Sequence, residues 1–369
     1  MTGMLRFLYR SAKRLCGAIP VSFALLMLAA CSSAPAPDAP YVLRYASPYT
    51  AGHPLSRADR KWMRYVEQAS GGRLRIEPFW ASGLISSDHN MEELRHGVVD
   101  VATITPIYTR AGTHAIRGQS GFYGGERSID QQVGVYKCLE AAFPVLRREV
   151  RGLDILAIQG GNQLGLVTRD RPVRRLADIR GLRLRAPSEL IPLLRTLNAD
   201  PLDMPMGDVY PALAKGVIDG VVAPIDTVRS LHFGEVARYY NEIRISRGAY
   251  PARAISTRVM ARLPADLQRL IRESQPIWEA AIRDETVEAA RSGKDYAEAQ
   301  KMRFIDFDPA SQARFDELYN LQAVRTAVEM RAFGIDAMPM LHLAQTMIER
   351  LNTGRHPACP RPSQGKEGL

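Results

Sequence analysis

Two arginines that alternate along a short apolar segment are the residues whose types and spacing best suit ligand chemistry. Arg183 and Arg185 are separated by one residue. On a strand both would point to one face, opposite Leu182 and Leu184. A guanidinium is planar, always charged and able to bond both oxygens of a carboxylate at once. The pattern therefore indicates a carboxylate-binding arginine, although composition alone favours a solvated strand edge.

Motifs for covalent catalysis, phosphoryl transfer and zinc binding are missing from the sequence. It contains no HExxH, GxSxG, GxxxxGK[ST] or CxxC, and the Gly160-Gly161 pair lacks a GxGxxG frame. His89 and His96 are the only neighbouring histidines, and surface positions explain them better than a metal site. We therefore predict no metal, no cofactor and no enzyme activity, with a secreted hydrolase or lyase as the minor alternative.

The positive charge of the chain does not indicate nucleic-acid binding. The net charge is +10, but the basic residues are mostly arginines spread along the whole chain among 39 acidic residues. A nucleic-acid surface would be expected to show a basic block with interleaved aromatic residues. An anionic small ligand or anionic lipid remains compatible with this charge.

The N-terminus has the pattern of an export signal. Residues 5–14 are basic and residues 17–30 are apolar, and that run is shorter than the roughly 20 residues of a membrane span. It ends in Leu-Ala-Ala before Cys31, which looks like a bacterial lipobox. We expect a signal peptide at 1–30, lipidation of Cys31 and a flexible tether over 31–40.

Two cysteines remain after the signal peptide and the lipidated residue are set aside. They are Cys138 and Cys359. In an oxidising compartment such a pair can form a disulfide. Their separation in space is unknown at this stage, so the sequence leaves the question open.

The chain after the tether reads as two α/β regions followed by long helices. Strand patterns at 41–46, 73–80 and 98–104 alternate with helical patterns at 55–69 and 88–96, which predicts parallel sheet units. A second α/β region begins near residue 154. Helical patterns then dominate at 265–300, 309–332 and 337–352. We predict an α/β fold, a two-lobed clamp like that of periplasmic binding proteins, with long C-terminal helices.

Four motifs carry a resemblance to a known family. They are SGGRLRI at 70–76, MEELRHGVVDVA at 91–102, LADIRGLRLRAP at 176–187 and MPMGDVYPALAKGVIDG at 204–220. Between about residues 42 and 352 the chain resembles the solute-binding proteins of tripartite ATP-independent periplasmic (TRAP) transporters, the DctP-like family. The resemblance implies two lobes joined at a hinge, with the ligand between them.

The implied boundaries divide the chain into two discontinuous lobes. Lobe I comprises 41–162 plus 249–288, and lobe II comprises 163–248 plus 289–352. Residues 353–369 are rich in proline and glycine and are expected to form a loose tail.

The resemblance also assigns ligand contacts. It implies that Arg185 bonds the ligand carboxylate and that Arg183 is structural. Tyr210 would line or support the cleft, and Met206 occupies a column where an aromatic residue often packs over the ligand. Ala223 stands where many members have a ligand-binding asparagine, so that polar partner is missing.

We therefore expect a monocarboxylate with an apolar or aromatic body as the ligand, since several polar partners of the family pattern are lost. The expected partners are this small organic acid, the membrane subunits of a TRAP transporter and a bacterial membrane reached through the lipid. The expected location is the periplasm. The alternatives are a ligand-sensing module for a signalling partner and an interaction scaffold without a ligand.

Overall fold

The computed structural model describes residues 39–109, 111–355 and 359. The predicted signal peptide, Cys31 and most of the predicted tether and tail lie outside the described residues. Within the described ranges, no helix combines the length and the hydropathy that crossing a membrane requires.

Strands and helices alternate along most of the described chain. The strands are β1 (Tyr41–Ala46), β2 (Leu74–Phe79), β3 (Val101–Thr103), β4 (Leu153–Gln159), β5 (Leu164–Thr168), β6 (Arg183–Arg185), β7 (Asp200–Leu202), β8 (Gly220–Ala223), β9 (Tyr239–Ile245), β10 (Tyr250–Ser256) and β11 (Arg303–Ile305). The helices are α1 (Pro54–Ala69), α2 (Asn90–His96), α3 (His114–Gln119), α4 (Ile129–Ala142), α5 (Pro144–Glu149), α6 (Ile191–Thr196), α7 (Val209–Ala214), α8 (Asp226–Ser230), α9 (Thr257–Met260), α10 (Ala265–Glu273), α11 (Gln275–Ala299), α12 (Pro309–Glu329) and α13 (Met338–Asn352).

The first sheet contains the strands of the first α/β region. Its order is β2-β1-β3-β10-β4. Strand β1 is parallel to both β2 and β3, as the alternation of strands and helices predicted. Strand β10 is antiparallel to β3 and β4, and the sequence analysis did not identify it.

The second sheet has the order β11-β9-β5-β8-β6-β7. Strand β6, which carries the two alternating arginines, is parallel to β7 and β8. Strand β5 is antiparallel to β8 and β9. The chain crosses from the first sheet to the second at 160–163 and returns at 246–249.

Helix α1 covers the first sheet because its sequence has an apolar face and a defined start. The buried residues Ala58, Trp62 and Val66 recur at helical spacing. The ring nitrogen Nδ1 of His53 accepts a hydrogen bond from the Leu55 N–H at 3.2 Å and so caps the first turn. On the buried face, the Trp62 indole stacks on Trp278 of α11 with ring centroids 3.7 Å apart.

The long C-terminal helices connect the two sheets. The predicted helical run at 265–300 is divided into α10 and α11, and Pro276 lies in the first turn of α11, where its missing N–H is tolerated. Helix α11 packs on α1 at one end and on α8 at the other. At the α8 end, a Cβ on Gly293 would lie 2.5 Å from the Ile225 carbonyl oxygen, so only glycine permits this approach.

Helix α13 belongs to the core of the first sheet. Its residues Met340, Leu341 and Ala344 share one hydrophobic cluster with Ala46 of β1 and Val135 of α4. The predicted boundaries put residues 338–352 in lobe II, whereas α13 packs against elements of the first sheet. Helical periodicity identified the apolar face of α13 but not the sheet that it covers.

A disulfide joins Cys138 of α4 to Cys359, with their Cα atoms 5.0 Å apart. We expect replacement of both cysteines by serine to lower the free energy of unfolding by about 2–4 kcal/mol, because the crosslink restricts the unfolded chain. Urea denaturation measures this change, and the reduced wild type should match the variant. An unfolding midpoint that is insensitive to reductant would contradict the expectation.

Candidate functional site

A cavity of about 120 Å³ lies between the two sheets. The first-sheet side of the chain contributes Tyr49, His53 and Tyr108, and the second-sheet side contributes Arg185 and Met206. Both crossings reach it as well, through residues 160–162 and 247–248. A ligand held here would touch both lobes and the connections between them.

Arg185 enters this cavity from the end of β6. It is 3% exposed, and its Nε donates to the carbonyl oxygen of Met204 at 2.9 Å. Its Nη2 donates to the Tyr108 hydroxyl at 3.0 Å, a contact that joins the two sides of the cleft. Among the described residues, no carboxylate lies within ion-pair distance of this guanidinium. The buried positive charge is therefore free to bind an anion.

Arg183, two residues earlier, has a different role. Its Nη2 forms an ion pair of 2.6 Å with Asp219, and its Nε and backbone N–H donate to the same carboxylate. The Arg183 guanidinium holds the pKa of Asp219 below its usual value. Arg183 therefore links β6 to the start of β8 and does not line the cavity, in agreement with the structural role that the resemblance implied.

The other predicted contacts divide into one residue in the cavity and two outside it. Met206 lines the cavity. Ala223 is fully buried in the core of the second sheet, and the cavity is lined by its neighbours Val222 and Pro224. Tyr210 is not part of the lining, and its exposed hydroxyl donates to Glu235 Oε2 at 3.0 Å. The prediction of Ala223 and Tyr210 as ligand contacts gains no support from the lining of this cavity, because motif position does not give side-chain direction.

His53 contributes a neutral ring to the cavity wall. Burial, together with the nearby guanidinium groups of Arg253 and Arg57, lowers its pKa to about 3. Since Nδ1 accepts the capping hydrogen bond from Leu55, the proton of the neutral ring lies on Nε2. Its ring stacks on Tyr49 with centroids 4.2 Å apart, so both side chains are held in place.

Two carboxyl groups line the same cavity. Burial raises the pKa of both Glu189 and Asp226. Asp226 Oδ1 accepts a hydrogen bond of 2.7 Å from Asn162, a residue of the first crossing. Glu189 lies in the short 3-10 turn after β6, and its Oε2 is buried without a hydrogen-bond partner in the described residues.

The sequence analysis missed Arg247, a second arginine of the cavity lining. It lies in the crossing from β9 to β10, where the sequence has no strand or helix periodicity that would indicate the direction of its side chain. The alternation of apolar and charged residues in β9 would have indicated a strand ending just before it. That signal would have placed Arg247 at the edge of the second sheet.

A buried polar network supports the cavity wall from the first-sheet side. Arg253 of β10 forms an ion pair of 2.7 Å with Asp59 of α1, and both side chains are fully buried. Arg253 Nη1 also donates to Gln159 Oε1 at 3.2 Å. Gln159 in turn donates to the Tyr250 hydroxyl at 3.2 Å, and both of these residues line the cavity. The ion pair thus fixes side chains that a ligand would touch.

No cluster of three or more metal-binding side chains occurs among the described residues. The cavity instead combines two guanidinium groups, two carboxyl groups, hydroxyl groups and several apolar side chains. The apolar part of the lining includes Leu55, Ile107, Leu164, Met206, Val222 and Leu231. Such a lining can hold a small molecule by charge and shape, with polar groups at defined places.

Comparisons with known proteins agree with this architecture. The family model described as bacterial extracellular solute-binding protein, family 7 (DctP), matches residues 45–325. A solute-binding protein of Roseobacter denitrificans is 29% identical over 149 residues, which make up 39% of this chain and 45% of that protein. The chain spans between 45% and 65% of the first curated relatives that it matches.

Solved structures show the same fold. A TRAP solute-binding protein from Rhodoferax ferrireducens, in complex with copurified benzoate, matches with a TM-score of 0.77 at 21% identity, covering 85% of this chain and 99% of that one. One from Bordetella bronchiseptica, with bound (R)- and (S)-mandelate, matches with a TM-score of 0.75 at 19% identity, covering 85% and 100%. These likenesses establish a two-lobed clamp fold.

Proposed function

Since the chain belongs to family 7 of the bacterial extracellular solute-binding proteins, we propose that it captures a small organic acid and delivers it to the membrane subunits of a TRAP-type transporter. The observation that carries this proposal is Arg185, a buried guanidinium without a carboxylate partner among the described residues, placed in the cavity between the lobes. A ligand carboxylate supplies the missing countercharge.

The body of the acid is apolar or aromatic in this proposal. Apolar side chains such as Ile107, Leu164 and Val222 line the cavity, and the neutral His53 ring and Tyr49 add aromatic surface. The volume of about 120 Å³ is below the range of roughly 300–1,000 Å³ typical of sites for drug-sized ligands. Benzoate and mandelate, which the two structural neighbours hold, are small acids of this kind.

The proposed mechanism is hinge closure without covalent chemistry. The ligand binds Arg185 from lobe II and touches Tyr49 and Tyr108 of lobe I, so it stabilises the closed arrangement. A ligand shifts the open–closed equilibrium only as far as its affinities for the two states differ. Movement is confined to the crossings at 160–163 and 246–249, with α11 as a third connection and α13 moving with lobe I.

The proposed location is the periplasm, with a lipid anchor in a bacterial membrane. The support is the sequence pattern before Cys31, which suits removal of residues 1–30 and lipidation of that cysteine. Labelling cells with a fatty-acid analogue tests it: wild type should become labelled and Cys31→Ser should not. Equal labelling of both would contradict the lipid anchor.

A thermal-shift screen of the purified protein tests the binding function. Aromatic, aliphatic and sugar acids form the panel, and Arg185→Ala is measured beside wild type. A ligand at 100 times its dissociation constant stabilises the folded state by about 2.7 kcal/mol, which raises the midpoint by several degrees. A folded protein that no acid stabilises would contradict the proposal.

A further inference from the structure

Arg247 has an unusual position for a charged residue of the cavity. It lies in the crossing at 246–249, and its guanidinium rests against Gly161 of the other crossing. A Cβ on Gly161 would lie 2.6 Å from Arg247 Nη1. The glycine therefore provides the space that the guanidinium occupies, and a side chain there would displace it.

Two backbone N–H groups of this crossing are hydrogen-bonded, whereas the Arg247 side chain is unpaired within the described residues. The Arg247 N–H donates to Glu126 Oε1 at 3.1 Å, and the Gly248 N–H donates to the Ser120 carbonyl oxygen at 3.0 Å. The guanidinium itself makes no hydrogen bond and no ion pair with any described residue, unlike that of Arg253. Its donors are thus available to a molecule in the cavity.

The carboxyl group of Glu189 lies in the same cavity and can accept a hydrogen bond, whereas the Arg247 guanidinium can only donate. The Glu189 Cβ lies 3.4 Å from the position that a Cβ on Gly121 would take, so Glu189 lies beside Gly121 of the opposite lobe. Its Oε2 is buried and has no partner in the described residues. The positive charges of Arg247 and Arg185 both act on this carboxyl group, yet neither arginine approaches it within ion-pair distance. A buried carboxyl oxygen without a partner costs stability that a ligand could recover.

We propose that Arg247 and Glu189 form a second subsite, which recognises a hydroxyl group on the bound acid. This inference rests on the proposed function. A hydroxyl oxygen can accept from the Arg247 guanidinium while its hydrogen is donated to Glu189 Oε2. The ligand class is therefore a hydroxy acid whose carboxylate lies on Arg185. One group of the ligand would satisfy both of the unpaired side chains.

Other ligand groups fit this pair less well. A second carboxylate would suit Arg247 but would face the carboxyl group of Glu189, and an ammonium group would face Arg247. A hydrogen or methyl in place of the hydroxyl would leave both side chains unpaired. Because an analogue without the hydroxyl leaves buried polar groups unpaired, sites that bond a hydroxyl discriminate strongly against such analogues.

Calorimetric titration of matched acid pairs tests the subsite. The pairs are benzoate with 3-hydroxybenzoate, and phenylacetate with each enantiomer of mandelate. In wild type, at least one hydroxylated acid should bind about tenfold or more tighter than its partner. In Arg247→Gln and in Glu189→Gln the ratio of the two affinities should fall to about threefold or less, whatever the change in the affinity for each acid. Arg244→Gln, an exposed arginine of β9, is the matched control and should keep the preference.

The outcomes separate this inference from the function on which it rests. If wild type binds both members of every pair equally, the carboxylate site stands and the hydroxyl subsite is wrong. Tightest binding by a dicarboxylate, enhanced in Glu189→Gln, would also overturn it. If wild type binds no acid at all, the proposed function itself fails. Because the wild-type comparison needs no variant, a variant that fails to fold does not remove the test.

Discussion

Replacing Arg185 with alanine is expected to weaken binding of the acid by about 30-fold or more, since truncating one partner of a buried charge pair costs roughly 2–5 kcal/mol. The guanidinium is 3% exposed and holds its orientation through Met204 and Tyr108. Its removal takes away the charge that faces the ligand carboxylate, and water cannot fully replace it in a closed cavity. Calorimetric titration of the acid found by screening measures the change.

Arg183→Ala is the matched control for this experiment. Both arginines lie on β6, but Arg183 is paired with Asp219 outside the cavity. The control should bind the acid within about threefold of wild type, since an exposed pair contributes little. Equal loss of affinity in both variants would show that damage to β6, and not loss of the carboxylate contact, causes the effect.

The second large effect is expected on stability. Asp59→Ala should lower the free energy of unfolding by about 3–5 kcal/mol, because it leaves the buried Arg253 guanidinium without its countercharge. Asp59 is fully buried and also accepts hydrogen bonds from the Trp278 indole, at 2.9 Å, and from the Tyr45 hydroxyl. Removing it therefore leaves several buried donors unpaired. Urea denaturation followed by tryptophan fluorescence measures the loss.

A surface ion pair provides the comparison for Asp59. Asp266 pairs with Arg73 where both side chains are about half exposed, so Asp266→Ala should leave the urea midpoint nearly unchanged. The Asp59 variant should also bind the acid more weakly, because Arg253 positions Gln159 in the cavity wall. A stable Asp59→Ala protein with normal affinity would contradict this role of the network.

The sequence predicted those parts of the fold that local periodicity determines. Strand patterns at 41–46, 73–80 and 98–104 located β1, β2 and β3, and their alternation with helical patterns predicted the parallel arrangement. Strand β10 was missed because it is buried on both faces yet contains Arg253, so it shows neither alternation nor an apolar run. The charge is tolerated there only through Asp59, which lies 194 residues earlier in the chain.

The same limit applies to the site. Arg185 could be found because it lies on a short alternating strand within a recognisable motif. Arg247 and Glu189 could not be found as site residues, because each is placed in the site by its neighbours from distant segments. Arg247 lies beside Gly161, and Glu189 lies beside Gly121. For Tyr210 the motif was recognised, but the motif did not indicate that its hydroxyl donates to Glu235. Contacts across a cleft depend on how the lobes meet, and local sequence does not determine that.

The most direct test of carboxylate capture compares an acid with its amide. Benzoate and benzamide have nearly the same size and the same aromatic ring, but only the acid carries the charge that Arg185 would bind. For wild type, calorimetric titration at neutral pH should show binding of benzoate, or of the tightest acid from the screen, and at least about 30-fold weaker binding of the matching amide. Equal affinity for acid and amide, or no binding of any acid by the folded protein, would contradict the account.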